Sequence, residues 1–105
     1  MKEISVEELA TWRASGKPFV LVDVRTPREL ELATLPGSLH VALQELPVRM
    51  HELDRDAEIA VICHTGSRSA FVTELLARGG FGRVYNVTGG IDAYSTRVDR
   101  SIPRY

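Results

Sequence analysis

The chain has 105 residues, of which 44% are hydrophobic and 26% charged, and its formal net charge at pH 7 is −1. These values predict one soluble domain with a single hydrophobic core over residues 1–105. The near-neutral charge gives no support for nucleic-acid binding, no apolar run approaches the roughly 20 residues that span a bilayer, and one cysteine excludes an internal disulfide.

The first part of the chain predicts a helix, a strand and a second helix. Ser5 and Glu8 have the spacing of a capping box, so a short helix begins there. The run FVLVDV at residues 19–24 is almost continuously apolar, as expected for a strand that is covered on both faces. Thr26 is a suitable N-cap, and the proline after it suits the first turn of a helix that extends to about Leu32.

The alternation of strands and helices continues to the end of the chain. Residues 39–43 (LHVAL) predict a short strand. Leu46, Met50 and Leu53 are spaced to line one side of a helix. That helix would extend from about Gln44 to Asp54. Four further elements follow: strand IAVIC at 59–63, a helix from about Ser67 to Arg78, strand RVYNV at 83–87 and a helix at 91–98.

Apolar strands that alternate with helices indicate an α/β fold with a mostly parallel sheet. In such folds, ligand sites lie beyond the carboxyl ends of the strands. Three of the predicted strands end at Asp23, at Cys63 and at Thr88-Gly89-Gly90, so these residues should converge on one edge of the sheet. The position of Cys63 therefore favours a functional role over the alternative of a small buried hydrophobe.

The segment after Cys63 could stabilise an anion at the sulfur. It lies where backbone N–H groups and the dipole of the following helix favour negative charge, and such an environment favours a thiolate. Gly66 can adopt a positive φ and let the chain curl back around the sulfur, while Arg68 adds a permanent positive charge. The candidate site is Cys63 as nucleophile, with a loop that would hold a thiolate or an anionic group attached to it: His64, Thr65, Gly66, Ser67 and Arg68.

The length of this loop separates two kinds of cysteine enzyme. Cysteine phosphatases also place a cysteine, an arginine and a helix after a strand, but they have five residues between the cysteine and the arginine. This chain has four, from His64 to Ser67. A shorter loop makes a tighter ring of donors, which suits one sulfur atom better than a tetrahedral phosphoryl group. A phosphatase or arsenate reductase is therefore the weaker alternative.

The distribution of charge along the chain and the cysteine content bear on the partners and the cellular location of the protein. Residues 1–58 contain seven Lys/Arg and eleven Asp/Glu, whereas residues 59–105 contain six Arg and three acidic residues. The positive half, which carries Cys63, could attract anionic substrates or acidic partners, although a mixed solvated surface explains the charges equally well. The opening MKEISVEELATW lacks the apolar core of a signal peptide, so we expect a cytoplasmic location and a free thiol.

Four segments together resemble a single-domain rhodanese, or sulfurtransferase, along nearly the whole chain: LVDVRTPRELE (21–31), PGSLHVALQELP (36–47), CHTGSRS (63–69) and VTGGIDAY (87–94). The ending VDRSIPRY also resembles rhodanese modules associated with activating enzymes for ubiquitin-like sulfur carriers. Four residues differ from the family pattern. Ala33-Thr34 stands where many members have Gly-His, Tyr94 replaces a tryptophan, and His64 replaces Lys or Arg.

The resemblance implies a rhodanese-like α/β fold with a central, mostly parallel five-stranded sheet flanked by helices on both faces. It also implies that Cys63 takes a sulfane sulfur from thiosulfate or a persulfide donor and passes it to a thiol or other nucleophile. The backbone amides of residues 64–68 would surround the persulfide. The implied partners are a small-molecule or protein donor, a thiol acceptor and a candidate sulfur-carrier protein. A second hypothesis is a sulfur-relay or docking module with little activity towards free thiosulfate.

No cofactor or metal ion is expected. His40 and His51 are distant from Cys63 in the sequence and share no metal-ligand spacing. Asp23 and Arg25 could contact substrate, but an ion pair of Arg25 with Glu29 is the preferred interpretation.

Overall fold

A computed structural model of residues 1–105 contains one sheet of five strands. The strands are β1 (Glu3–Ile4), β2 (Val20–Asp23), β3 (Leu39–His40), β4 (Ile59–Ile62) and β5 (Val84–Val87). Their order across the sheet is β1-β5-β4-β2-β3, and every neighbouring pair is parallel. The α/β fold with a parallel sheet is therefore confirmed.

Five α-helices connect or follow the strands. They are α1 (Val6–Ser15), α2 (Pro27–Leu32), α3 (Leu46–Arg49), α4 (Ser67–Arg78) and α5 (Gly90–Arg97). Capping boxes begin the first two: the hydroxyl of Ser5 accepts from the N–H of Glu8, and that of Thr26 accepts from the N–H of Glu29. The capping box at Ser5 and the N-cap at Thr26 are as predicted, whereas the part played by Glu29 was not predicted. None of these helices has the length and apolar character needed to cross a bilayer.

The sheet is covered on both faces because β4 is apolar on both. Ala60 and Ile62 belong to a core cluster with residues of α1 and α5, whereas Ile59 and Val61 belong to a second cluster with residues of α3 and α4. All four residues of β4 are buried. Burial on both sides is why the sequence of this strand is continuously apolar rather than alternating.

Three elements differ from the sequence prediction. The strand predicted at residues 39–43 is limited to β3, Leu39–His40, and Leu43 begins a 3₁₀ segment instead. The helix expected from about Gln44 to Asp54 is instead α3 flanked by two 3₁₀ segments, Leu43–Glu45 and Met50–Glu52. Pro47, which lacks a backbone N–H, lies in the first turn of α3, so a continuous helix cannot pass through it without losing a hydrogen bond. Strand β1 was not predicted as an individual strand, since two residues are too few to show periodicity.

The central position of β4 places Cys63 in the middle of the carboxyl edge of the sheet. In the register of the sheet, Asp23 of β2 pairs with Ile62, and Asn86 of β5 pairs with Val61. Cys63 directly follows Ile62, so the chain leaving β2 and the end of β5 lie on either side of it. The predicted convergence of the three strand ends is confirmed.

Candidate active site

The Cys63 sulfur lies inside the turn between β4 and α4. The side chain has no exposed surface. Its Sγ accepts a hydrogen bond from the backbone N–H of Gly66 at 3.1 Å and lies 3.2 Å from the hydroxyl oxygen of Ser69. We call residues 63–68 the cysteine loop. A backbone donor and a hydroxyl directed at one sulfur atom form a small polar pocket within an otherwise apolar core.

Gly66 allows the cysteine loop to curl around the sulfur. It is the N-cap of α4 and has a φ of 108°, a left-handed conformation that favours glycine. A Cβ atom there would also lie 3.2 Å from the backbone nitrogen of Gly89. The sequence prediction of a positive φ at Gly66 is therefore correct, and the close approach of the chain after β5 adds a second reason for glycine.

The first turn of α5 holds the carbonyl groups of the cysteine loop. The N–H of Ile91 donates to the carbonyl of Cys63 at 2.9 Å, and the N–H of Asp92 donates to that of His64 at 3.0 Å. Both carbonyls are thus directed towards α5, which leaves the interior of the turn to N–H groups. Gly90 makes this approach possible, since a Cβ atom there would overlap the carbonyl oxygens of Cys63 and His64.

A chain of buried hydrogen bonds connects the sulfur to β5. The Ser69 hydroxyl donates to the Asn86 side-chain oxygen at 2.5 Å, and the Asn86 amide donates to the carbonyl of Gly66 at 3.3 Å. Because Ser69 gives its hydrogen to Asn86, it accepts from the S–H of Cys63 in this arrangement. Once the thiol is ionised, the same hydroxyl can rotate and donate to the sulfur.

Arg68 is paired with Glu29 of α2 rather than directed at the sulfur. Its two terminal nitrogens donate to the two carboxylate oxygens of Glu29 at 2.6 and 2.8 Å. Hydrogen bonds from Arg68 hold the pKa of Glu29 well below its usual range, and the pairing raises the pKa of Arg68. The expected ion pair of Arg25 with Glu29 is wrong, because Arg25 reaches only the Glu29 backbone carbonyl, at 3.4 Å.

Arg25 instead pairs with Asp23, and both side chains are almost completely buried. Its Nε and Nη2 atoms contact the Asp23 carboxylate at distances of 2.7 to 3.1 Å. Nη2 also donates to the carbonyl of Ala33 at 2.9 Å. This pair fixes the start of α2, and with it the position of Glu29.

The aromatic ring of Tyr105 covers the start of the cysteine loop. It stacks on the ring of His64 with a centroid distance of 4.1 Å and an angle of 12°. Its hydroxyl accepts from Arg25 at 2.9 Å and donates to Glu29 at 2.8 Å. Burial raises the pKa of Tyr105 to about 12, so the phenol remains a donor throughout the neutral range.

The remaining predicted residues lie at the surface of the turn or away from it. Thr65 and Ser67 are exposed and do not contact the sulfur. His40 bonds to the carbonyl of Arg25, His51 bonds to that of Val48, and no group of three or more His, Cys, Asp or Glu residues is arranged to hold a metal ion. Tyr94 is a buried core residue whose hydroxyl accepts from Arg13 at 2.9 Å.

Three residues that contact the cysteine loop were not predicted from the sequence: Ser69, Asn86 and Tyr105. Asn86 had a detectable signal, since a polar residue in a buried apolar strand needs a polar partner. Ser69 falls on the first turn of α4, close enough to Cys63 in sequence to have been considered. Tyr105 gave no such signal, because its contacts depend on how the last residues fold back over the sheet edge.

A parallel α/β sheet with a cysteine loop at its carboxyl edge defines a small class of thiol-bearing domains. The rhodanese-like domain model matches residues 5–97, and the chain belongs to the rhodanese family. It is 35% identical over 95 residues to a protein of Allochromatium vinosum named Sulfurtransferase, covering 90% of this chain and 89% of that protein.

Other comparisons agree on the domain. The chain is 41% identical to the Arabidopsis thaliana protein named Rhodanese-like/PpiC domain-containing protein 12, chloroplastic, and covers 38% of its length. The crystal structure of a rhodanese-like domain protein from Staphylococcus aureus superposes with a TM-score of 0.86 at 28% identity, covering 100% of this chain and 99% of that one. The rhodanese-like fold, with helices on both faces of the sheet, is thereby shown.

Proposed function

We propose that this chain is a sulfurtransferase that carries a sulfane sulfur as a persulfide on Cys63. The observation that carries the proposal is the pairing of the Cys63 sulfur with the N–H of Gly66 at 3.1 Å and with the Ser69 hydroxyl at 3.2 Å. The N–H of Gly66, and the Ser69 hydroxyl once it rotates towards the sulfur, can both donate hydrogen bonds to a sulfur anion. Membership of the rhodanese family and the relative named Sulfurtransferase support the same reaction.

The reaction is a double displacement at sulfur. The Cys63 thiol loses its proton to solvent, and the thiolate attacks the outer sulfur of thiosulfate. The sulfur–sulfur bond of the donor breaks, sulfite leaves with the bonding electron pair, and Cys63 retains the outer sulfur as a persulfide. An acceptor such as a thiolate or cyanide then attacks that outer sulfur, and the Cys63 thiolate leaves.

In this proposal the other residues of the cysteine loop hold the persulfide. The N–H of Gly66 already bonds to Sγ. We expect the N–H groups of His64, Thr65, Ser67 and Arg68 to surround the outer sulfur once the persulfide forms. The guanidinium of Arg68 acts as a positioning group, because its bidentate pairing with Glu29 fixes the end of the loop to α2. Carbonyls directed towards α5 do not compete for the interior.

A second candidate function is a sulfur relay whose donor is an organic or protein persulfide rather than thiosulfate. It is favoured by the pairing of both nearby arginines, Arg68 with Glu29 and Arg25 with Asp23. A dianion such as thiosulfate therefore meets no uncompensated positive charge from these two side chains. A donor of lower charge requires less electrostatic compensation.

Intact-mass measurement after incubation with a sulfur donor tests both functions. We expect the protein to gain one sulfur atom from thiosulfate or from glutathione persulfide, and cyanide to remove it as thiocyanate. Because Cys63 is the only cysteine, the Cys63→Ser protein is a matched control that gains none. An adduct from thiosulfate supports the sulfurtransferase, and an adduct from the persulfide alone supports the relay.

One result of the mass measurement would contradict both functions. If neither donor modifies the wild-type protein, Cys63 is not a sulfur carrier. Hydrolysis of an aryl phosphate that is abolished in Cys63→Ser would then favour the phosphatase that the loop length disfavours.

A further inference from the structure

A residue far from the cysteine loop in sequence, Tyr105, packs against it in the fold. Tyr105 lies 41 positions after His64, yet their rings stack at 4.1 Å. Its hydroxyl donates to Glu29, whose carboxylate binds Arg68. Tyr105 is therefore connected to both ends of the loop, directly at the residue after Cys63 and through Glu29 at the last residue.

The preceding residues hold Tyr105 in this position. Ile102 is buried in the core cluster that contains α1 and α5, and Arg104 donates to the carboxylate of Asp92 at 2.9 Å. Tyr105 itself makes no backbone hydrogen bond, and its side chain is held by the stack on His64, by hydrogen bonds to Arg25 and Glu29, and by packing against the edge of the same core cluster. Rotation of the Tyr105 side chain can thus move the ring off His64 while Ile102 and Arg104 keep their contacts.

The stacked arrangement also carries a cost that favours opening. His64 Nε2 is shielded from solvent and has no hydrogen-bond partner. A buried polar atom without a partner is unfavourable, and displacement of the Tyr105 ring would let water reach this nitrogen. The closed position is therefore held by two hydrogen bonds, the stack on His64 and partial packing against the core, and it is opposed by one unsatisfied atom.

Cys63 has no exposed surface, so a donor reaches its sulfur only if residues around the cysteine loop move, and the Tyr105 ring lies on the residue next to Cys63. We propose that Tyr105 is a specificity-determining residue that sets the size of the sulfur donor or acceptor able to reach Cys63. With the ring in place, small fluctuations of the cysteine loop admit small reactants. Larger reactants, such as a persulfide on a protein, reach the sulfur only when the ring is displaced. The role assigned to Tyr105 in transfer rests on the proposed function of Cys63.

Alkylation of the single cysteine tests this role without any sulfur transfer. The rates of modification by iodoacetamide and by fluorescein maleimide are measured on the whole chain, and their ratio reports access by size. We expect Tyr105→Ala to raise the maleimide rate relative to the iodoacetamide rate by about tenfold, the scale of losing two hydrogen bonds that hold a closed state. Tyr105→Phe keeps the ring but loses the hydroxyl, so its ratio of maleimide to iodoacetamide rates should lie between those of the wild type and Tyr105→Ala.

The matched control is Arg100→Ala, an exposed residue of the same segment that forms no ion pair. Its ratio should equal that of the wild type. If Tyr105 only stabilises the fold, Tyr105→Ala will raise both rates together and leave the ratio unchanged, which overturns the proposal.

Turnover separates this proposal from the function on which it rests. We expect Tyr105→Ala to increase kcat/KM for a protein persulfide relative to that for thiosulfate, mainly through KM. An unchanged alkylation ratio in a protein that forms the Cys63 persulfide overturns the role of Tyr105 alone. A changed ratio in a protein that never acquires sulfur overturns the proposed function and leaves Tyr105 as the group that controls access.

Discussion

The backbone N–H of Ile91 donates to the carbonyl oxygen of Cys63 at 2.9 Å, which joins the cysteine loop to the first turn of α5. This bond turns a carbonyl away from the sulfur, and the parallel bond from Asp92 does the same for His64. An anion at Cys63 is thus spared repulsion from these carbonyl dipoles. The geometry depends on Gly90, which has no side chain to hold the two segments apart.

Gly90→Ala should therefore disrupt the cysteine loop. The added Cβ would lie 2.5 Å from the carbonyl oxygen of Cys63, and the φ of 60° is also unfavourable for alanine. We expect loss of most of the persulfide formation at Cys63 and a lower Tm. Gly16→Ala is the control, because it imposes a similar strain at a φ of 75° with no atom within 4 Å. It should cost only about 1–2 kcal/mol and leave Cys63 reactive. If Gly90→Ala and Gly16→Ala lower persulfide formation and Tm equally, the close approach of Gly90 to the cysteine loop is not important for the site.

Ser69→Ala should slow the reactions of the Cys63 thiolate. The change removes the hydroxyl that lies 3.2 Å from Sγ and also leaves the Asn86 side-chain oxygen without this donor. A hydrogen bond to a charged group contributes about 1.5–3 kcal/mol, so we expect at least about a tenfold lower rate of persulfide formation at pH 7. Ser67→Ala removes an exposed hydroxyl from the same loop and should have no such effect. If persulfide forms at the same rate in Ser69→Ala as in Ser67→Ala, the hydrogen bond between Ser69 and the sulfur is not needed for the reaction.

Arg25→Met should strongly destabilise the fold. It leaves the buried carboxylate of Asp23 without its partner, and breaking a buried ion pair typically costs about 3–5 kcal/mol. Replacement of both residues, Asp23→Leu with Arg25→Met, should cost less than the single change, because no charge remains buried. Arg28→Met alters an exposed arginine in the nearby helix α2 and should change the free energy of unfolding by only about 0.5 kcal/mol. Urea unfolding monitored by circular dichroism measures all four proteins.

The pairing of Glu29 with Arg68 predicts a dependence of stability on pH. The pKa of Glu29 is lowered by Arg68, so its contribution is fully present above the ordinary glutamate pKa of about 4.3 and is lost as the pH falls towards the lower folded value. We expect the difference in unfolding free energy between wild type and Glu29→Gln to be constant from pH 7 to 5 and to shrink below pH 4. Glu31→Gln, at an exposed position on α2, should show little change. A difference that stays constant down to pH 3 would contradict the pairing.

Local patterns in the sequence predicted much of the fold and the centre of the site. Helix α4 was expected from Ser67 to Arg78 and has those limits, because its apolar stripe is regular and two glycines follow it. The capping boxes at Ser5 and Thr26 depend on residues three positions apart, so they too can be predicted from sequence. The placement of Cys63 at the carboxyl end of a buried strand followed from the alternation of strands and helices, whereas the central position of that strand in the sheet did not.

Contacts between distant segments could not be predicted in this way. An ion pair of Arg25 with Glu29, which is four residues further along, was expected from the sequence. In the structure Arg25 lies before α2 and turns back to Asp23, while Glu29 is available for Arg68, which is 39 residues further along the chain. The position of Tyr105 over His64 likewise depends on tertiary packing alone.

The position of Cys63 after β4 has a consequence for the dynamics of the site. Strand β4 pairs with β2 on one side and β5 on the other, and its four residues are buried, so its amide protons should exchange with deuterium only through global unfolding. Tyr105 has no backbone hydrogen bond and should belong to the fastest-exchanging part of the chain. The reactive sulfur thus follows the strand that should unfold last, whereas the Tyr105 ring belongs to the segment that should lose its structure first.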